Sequence, residues 1–423
     1  MQTAAPEYES RFDRKNHDFR VMAVVGIAHA MSHFAQLVLP LLSPRMTVDF
    51  GVNYTQLGFV LTVFFASSFI TQTASGFIVD TKGPRPILLT GLTLIVLGIS
   101  GYAFSTSYWM LLLSAVALGV GNGVFHPADY TLLNWLVKSR RLAHAYSAHG
   151  ITGTLGWALA PVFVVPIAAA TSSWRIAMGA AAALVAVVLL VVFSQRRLLG
   201  GAALTEMKLS ASTRAASRAD SQASQESTFA FLKLPAIWMC MGFFFFYALS
   251  GSAIQTYAAV AVNGLFGLSE QWAAYCVTFF MVASMAGMVW GGFLASDPSR
   301  CEKIVGVGFG CSATVALGVA FLPLPVVMVP VMFMLMGFAT GIAGPSRDLI
   351  VKRATPARAS GRVFGIVYAG LDIGQGLAPM IYGRLMDHQN YAGLFIALAV
   401  VQGVLIASAF NVRRTGAGAK SSV

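Results

Sequence analysis

Twelve apolar stretches, each roughly 18 to 25 residues long and set apart by short polar or Gly/Pro breaks, run the length of this chain. A helix rising about 1.5 Å per residue needs about 20 residues to cross a hydrocarbon core about 30 Å thick. The stretches therefore predict membrane-spanning helices at 20–43, 54–79, 86–104, 108–137, 143–168, 174–194, 232–262, 270–295, 303–322, 325–351, 360–386 and 391–411. Strands are excluded on two grounds: lipid cannot satisfy an open sheet edge, and the alternating pattern of a barrel is absent. With 57% hydrophobic and 10% charged residues, a single soluble core could not hide the apolar side chains.

A formal charge of +12 would suit a nucleic-acid partner, but the positions of the basic residues give it another meaning. Of 28 Lys and Arg, 25 fall on one side of the twelve predicted spans, against Arg45, Arg175 and Arg384 on the other. That bias predicts a multi-pass protein of the inner (plasma) membrane with both termini in the cytoplasm, and no nucleic-acid site. The four cysteines show no metal or redox spacing and read as small buried residues. No cleavable leader is expected ahead of the first span. Residues 195–230, rich in Ser, Ala, Gln and charge, read as a flexible cytoplasmic linker. The expected division is a cytoplasmic arm (1–19), a six-helix bundle (20–194), the linker (195–230), a second six-helix bundle (231–411) and a cytoplasmic tail (412–423).

The halves repeat. A shift of 218 positions lays "GWALAP" (156–161) on "GQGLAP" (374–379), Gly119 on Gly337, Gly123 on Gly341 and Pro127 on Pro345. A proline ring clashes with the carbonyl four residues earlier, so Gly123 with Pro127, Gly341 with Pro345, and Pro161 and Pro379 are candidate helix bends. Matching bends in matching helices predict two pseudo-symmetric bundles that rock against each other.

The loop "GFIVDTKGPRP" (76–86) resembles the signature loop of the major facilitator superfamily, carried here by Gly76, Asp80, Gly83 and Arg85. A second copy at 291–300 keeps only Asp297 and Arg300. "AHAMSHFAQLVLPLL" (28–42) and "GNGVFHPAD" (121–129) resemble the fosmidomycin-resistance-like branch of that superfamily. That branch carries an acid directly after its His-Pro pair; here Ala128 stands there and the acid is Asp129, about 100° further around the helix. The resemblance implies an all-α carrier of twelve helices that moves a small organic molecule outward, driven by protons. It also implies no cofactor, with the small-molecule substrate, protons and the lipid bilayer as its partners, and a monomer is expected. Close helix approach is expected at Gly76, with Asp80 near the opposite bundle.

Polar residues inside spans are costly and normally face a bundle interior or a water-filled cavity. His29, His33 and Gln36 share one face of the first span, and Asn122, His126 and Asp129 share one face of the fourth. Tyr247 and Gln255 lie in the seventh, while Tyr368, Asp372 and Gln375 share a face of the eleventh. These are the candidate cavity residues. His126 and Asp129, with Asp372 in reserve, are the candidate proton carriers, since burial disfavours charge on either partner and lets a proton pass between them. Asp129 and Arg347, 218 positions apart and of opposite charge, form a candidate gate between bundles. Duller roles stay open: either first-span histidine as an interhelical hydrogen bonder, Arg347 with Asp348 as a solvated pair, Phe243 to Phe246 as packing, and Trp109, Trp174 and Trp272 as interfacial anchors.

Other functions are weaker readings. "HAMSH" places two histidines one turn apart, but Ala30 stands where a metalloprotease needs glutamate, so no enzyme and no resident metal are expected. The His29/His33 pair leaves open a metal-ion carrier, and uptake remains the alternative to efflux. Without a phosphate-binding loop or an appended signalling domain, neither an ATP-driven pump nor a sensor is favoured.

Overall fold

A computed structural model of the protein describes residues 7–138, 141–200, 235–295, 300–354 and 360–418, by backbone alone for 7–16, 143, 235–237, 348–354, 360–369 and 411–418. Among the described residues there is helix and no strand. The crossings are α1 (Glu7–Phe50), α2 (Tyr54–Lys82), α3 (Pro84–Phe104), α4 (Tyr108–Leu136), α5 (Leu142–Thr171) and α6 (Trp174–Ser194) in the first half. In the second half they are α7 (Trp238–Phe266), α8 (Glu270–Leu294), α9 (Cys301–Phe321), α10 (Met328–Ala354), α11 (Ser360–Asp387) and α12 (Tyr391–Gly418). Eleven are long and apolar enough over their described residues to span a membrane; α11, at 28 residues, completes the twelve.

Local chemistry sets the helix ends. Asn53 accepts from the Gln56 amide while the Gln56 side chain accepts from the Asn53 amide, a reciprocal cap that starts α2. Gly83 ends it at φ +84°, a conformation that favours glycine, and Pro84 opens α3 at once. α1 is helical from Glu7, within the expected arm (1–19), because no glycine or proline interrupts the chain between Pro6 and Gly26, and α12 runs to Gly418, into the expected tail (412–423). Residues 201–234, most of the expected linker, lie outside the described residues.

Neighbour relations in the first half recur in the second with each helix number raised by six. α1 packs on α5, α2 and α3 on α4, and α3 on α6; correspondingly α7 packs on α11, α8 and α9 on α10, and α9 on α12. The repeat glycines explain how. A Cβ at Gly119 or Gly123 would run into the carbonyls of Phe64 or Ser68 on α2, and at Gly337 or Gly341 into those of Phe280 or Ser284 on α8. Gly156 meets the Ala30 carbonyl and Gly374 the Phe245 carbonyl in the same way. These glycines act as contact points between backbones, since association in lipid relies on close van der Waals packing. The proline positions differ more. α4 is interrupted at Val124, whereas α5, α10 and α11 run as continuous helix through Pro161, Pro345 and Pro379.

The halves meet through α2 against α11 and α5 against α8. Their described hydrogen bonds gather towards the end opposite the linker, here the far end. Arg45 donates to Glu270 at 2.9 Å, Tyr257 to the Tyr54 carbonyl at 2.7 Å, and Thr62 to the Gly376 carbonyl at 2.5 Å. The Asp387 carboxylate accepts from the Tyr54 amide (2.6 Å), the Thr55 amide (3.0 Å) and the Thr55 hydroxyl (2.5 Å). Midway, Thr278 donates to the Ala158 carbonyl, and Gln72 reaches Asp372 at 3.4 Å. Nearer the linker end, a Cβ at Gly76 would have nothing within 4 Å, and Phe77 is 75% exposed. Among the described residues, the bundles are thus fastened towards the far end, while Gly76 of α2 faces open space near the linker end.

Candidate functional site

Pro127 has no amide to give the Gly123 carbonyl, and that carbonyl instead accepts from the Ser75 hydroxyl of α2 at 3.4 Å. The helix breaks beside it at Val124 and resumes at Phe125. The break sets His126 and Asp129 in different surroundings. His126 is exposed although it lies among other imidazoles, while Asp129 is fully buried.

Asp129 is held by histidines from two other helices. His149 of α5 places Nε2 3.0 Å from Asp129 Oδ2, and His29 of α1 places Nδ1 3.3 Å from the same oxygen without the alignment of a hydrogen bond. The His29 and His149 rings stack with centroids 3.6 Å apart. His33 lies 4.5 Å from His29 and 4.2 Å from the Trp157 ring, with its Nδ1 buried and unpartnered. His126 lies 5.2 Å from His29 and stacks on Tyr130. Two imidazoles thus hold one buried carboxylate, and two more lie against the His29 ring. Ring nitrogens of His29, His126 and His149 also come within 4.8 Å of one another, close enough to consider a shared ion.

Below this cluster, the Trp157 indole donates to Gln36, Gln36 donates to Asn122, and Asn122 donates to Ser68, at 3.0, 3.1 and 2.9 Å. The two polar faces anticipated on α1 and α4 therefore meet. His149 was not among the anticipated residues.

In the second half, Arg347 lies over the Tyr247 ring at 4.1 Å and near Phe244 at 5.7 Å. Position 29 plus 218 is 247, and 129 plus 218 is 347, so one α1–α4 contact has a counterpart between α7 and α10. Where the first half pairs imidazole with carboxylate, the second pairs phenol with guanidinium. Of the two residues of the candidate gate, Asp129 is held by His29 and His149, and Arg347 lies over the Tyr247 ring of its own half. Trp174, expected as an interfacial anchor, is instead buried and donates to Asp49, which also pairs with Arg175. Asp372 is half-buried and touches Gln72. Gln375 is half-buried on α11, and Gln255 lies in a π-helical turn, Ala253–Tyr257, inside α7. The Tyr368 side chain lies outside the described residues.

The Major Facilitator Superfamily profile matches residues 22–379. The chain belongs to that superfamily. Among its relatives, the uncharacterized MFS-type transporter YfnC of Bacillus subtilis (strain 168) is 29% identical over 169 residues, 40% of this chain and 41% of YfnC. The fosmidomycin resistance protein of Escherichia coli (strain K12) is 24% identical over 160 residues, 38% of this chain and 39% of that protein. The chain thus spans about two fifths of the length of these curated relatives. A solved bacterial homolog of the human lysosomal transporter Spinster, in an inward-facing and unoccupied conformation, superposes with a TM-score of 0.75 at 15% identity, covering 95% of this chain and 98% of that one.

The loop that resembles the superfamily's signature sits at the linker end. Gly83 makes the tight turn, Asp80 is exposed, and Arg85 donates to the Arg196 carbonyl at 3.4 Å. Gly76, expected to admit a neighbouring helix, faces open space in this conformation.

Proposed function

We propose that the protein is a secondary active transporter that exports a small organic solute by alternating access in exchange for protons. One observation carries the reading: a buried carboxylate held by two imidazoles, with two more beside them and one of those exposed, lies in a bundle whose described hydrogen bonds to its partner gather towards one end. Removing one partner from a buried charge leaves a penalty of about 3 to 5 kcal/mol. Rearrangement of the bundles therefore has leverage over where the cluster's proton resides. Charge bias supports a cytoplasmic linker end in the inner membrane, which makes this the inward-open conformation. The far-end contacts then form the closed outer gate. Asp129 with His126 and His149 forms the proton site, and Asp372 meets Gln72 of α2 midway along the interface. Gln36, Asn122 and Trp157 belong to the wall that meets the solute, acting in a monomer.

Purified protein in vesicles tests this. The Asp129→Asn variant is expected to retain substrate counterflow and to lose accumulation driven by a pH gradient. Undiminished gradient-driven transport would overturn the proton role of Asp129 and move it to Asp372.

A further inference from the structure

We infer that His29, His126 and His149 form a binding site for a divalent transition-metal ion, with Asp129 as the outer carboxylate that orients two of the three imidazoles. The three residues come from α1, α4 and α5, and their ring nitrogens already lie within 4.8 Å of one another. A tetrahedral site with metal–nitrogen distances of about 2.0 to 2.1 Å needs nitrogens about 3.4 Å apart. The longest separation must therefore close by about 1.4 Å, which imidazole rotation can supply, and His126 stands just beyond the helix break at Val124.

Two further observations point to a ligand. Nδ1 of His29 and Oδ1 of Asp129 are buried without hydrogen-bond partners, so the protein alone does not satisfy the polar atoms of this cluster. The Asp129 carboxylate, touching His149 Nε2 and lying beside His29 Nδ1, stands as carboxylates do behind metal-bound imidazoles, fixing which ring nitrogen carries the proton. Exposed His126 gives the ion its entrance. A set of imidazoles selects Zn2+, Co2+ or Ni2+ over Mg2+ and Ca2+, which require oxygen ligands. This differs from the His29/His33 pair suggested by "HAMSH": His149 takes the place of His33, whose ring packs on Trp157.

The inference goes beyond the transport reading and is tested without it. Full-length protein, purified in detergent without a polyhistidine tag, is titrated with Co2+ and followed by its visible d–d bands. The expected result is one equivalent of Co2+ with a four-coordinate spectrum, displaced by Zn2+ and not by Mg2+. Binding should weaken at least about tenfold in Asp129→Asn, should be lost in His149→Gln and in His29→Gln, and should be unchanged in the exposed control His144→Gln. A wild-type protein that binds no stoichiometric Co2+, or binding that survives in both His149→Gln and His29→Gln, would overturn the site. Thermal melting of each variant separates loss of a ligand from loss of fold. If Asp129→Asn abolishes pH-driven transport while the wild type binds no Co2+, the metal site fails and the proton reading stands; one-equivalent binding with undiminished pH-driven transport in Asp129→Asn gives the reverse.

Discussion

Replacing Asp387 with alanine should open the far end. The reciprocal cap between Asn53 and Gln56 leaves the amides of Tyr54 and Thr55 without helical partners, and the Asp387 carboxylate, arriving from the other bundle, takes both amides and the Thr55 hydroxyl. Bonds to a charged acceptor contribute about 1.5 to 3 kcal/mol each when removed singly, and capping residues about 0.5 to 2 kcal/mol. Both amides become hydrated once the bundles part, so the three bonds together favour the far-closed state by about 2 to 3 kcal/mol. That corresponds to a population ratio changed about 30- to 150-fold. Spin labels at positions 82 and 303, on the linker ends of the two halves, report it by pulsed dipolar spectroscopy: the alanine variant should gain a short-distance population as the linker end closes. Glu270→Gln is the internal control. Its pair with Arg45 is 46% exposed on the glutamate side, so it should shift the same distribution by less than about 1 kcal/mol. An unchanged distribution in Asp387→Ala, in protein that melts at the wild-type temperature, would refute the reasoning.

Valine at Gly123 collides with the Ser68 carbonyl and should cost at least about 1 to 3 kcal/mol, seen as a lower melting temperature in detergent. The same substitution at Gly76, which faces open space, should leave the melting temperature intact and block transport if the linker end must close there; full activity in Gly76→Val would show that it need not. Single cysteines at positions 200 and 418 should resist an impermeant thiol reagent added outside intact cells, and labelling at either would invert the assigned orientation.

Much of the architecture was legible because lipid permits few solutions. Helix boundaries from apolar length fall within a few residues of those observed, except that α1 continues back to Glu7 through a charged segment that no breaker interrupts and on to Phe50, and α12 continues to Gly418. The 218-residue repeat located the glycines correctly but suggested bending, whereas their shared role is to admit a neighbour's backbone. His29, His33, His126 and Asp129 were recognisable as polar residues in apolar spans. His149 was missed because "LAHAYSAHG" reads as the wet start of a helix. A usable signal was present: His149, Gly153, Gly156 and Trp157 lie on one helical face, and the glycines of that face are the ones pressed against α1. The Asp387 cap could not be read at all, since its partners are more than 300 residues away and share no pattern with it.

The 29-residue α2 is a rod about 43 Å long, capped by Asp387 of α11 at its first turn, seated on α4 through Phe64, Ser68 and Ser75, and facing open space at Gly76, about 33 Å along. Moving together with the bundle it is seated on, such a rod works as a lever with its fulcrum at Tyr54. A tilt of about 10° there displaces the level of Gly76 by about 6 Å, roughly the width of a small side chain pair, with no bending of the helix. Substitutions near the fulcrum should therefore change how often the passage opens, and those near the free end should change how tightly it seals.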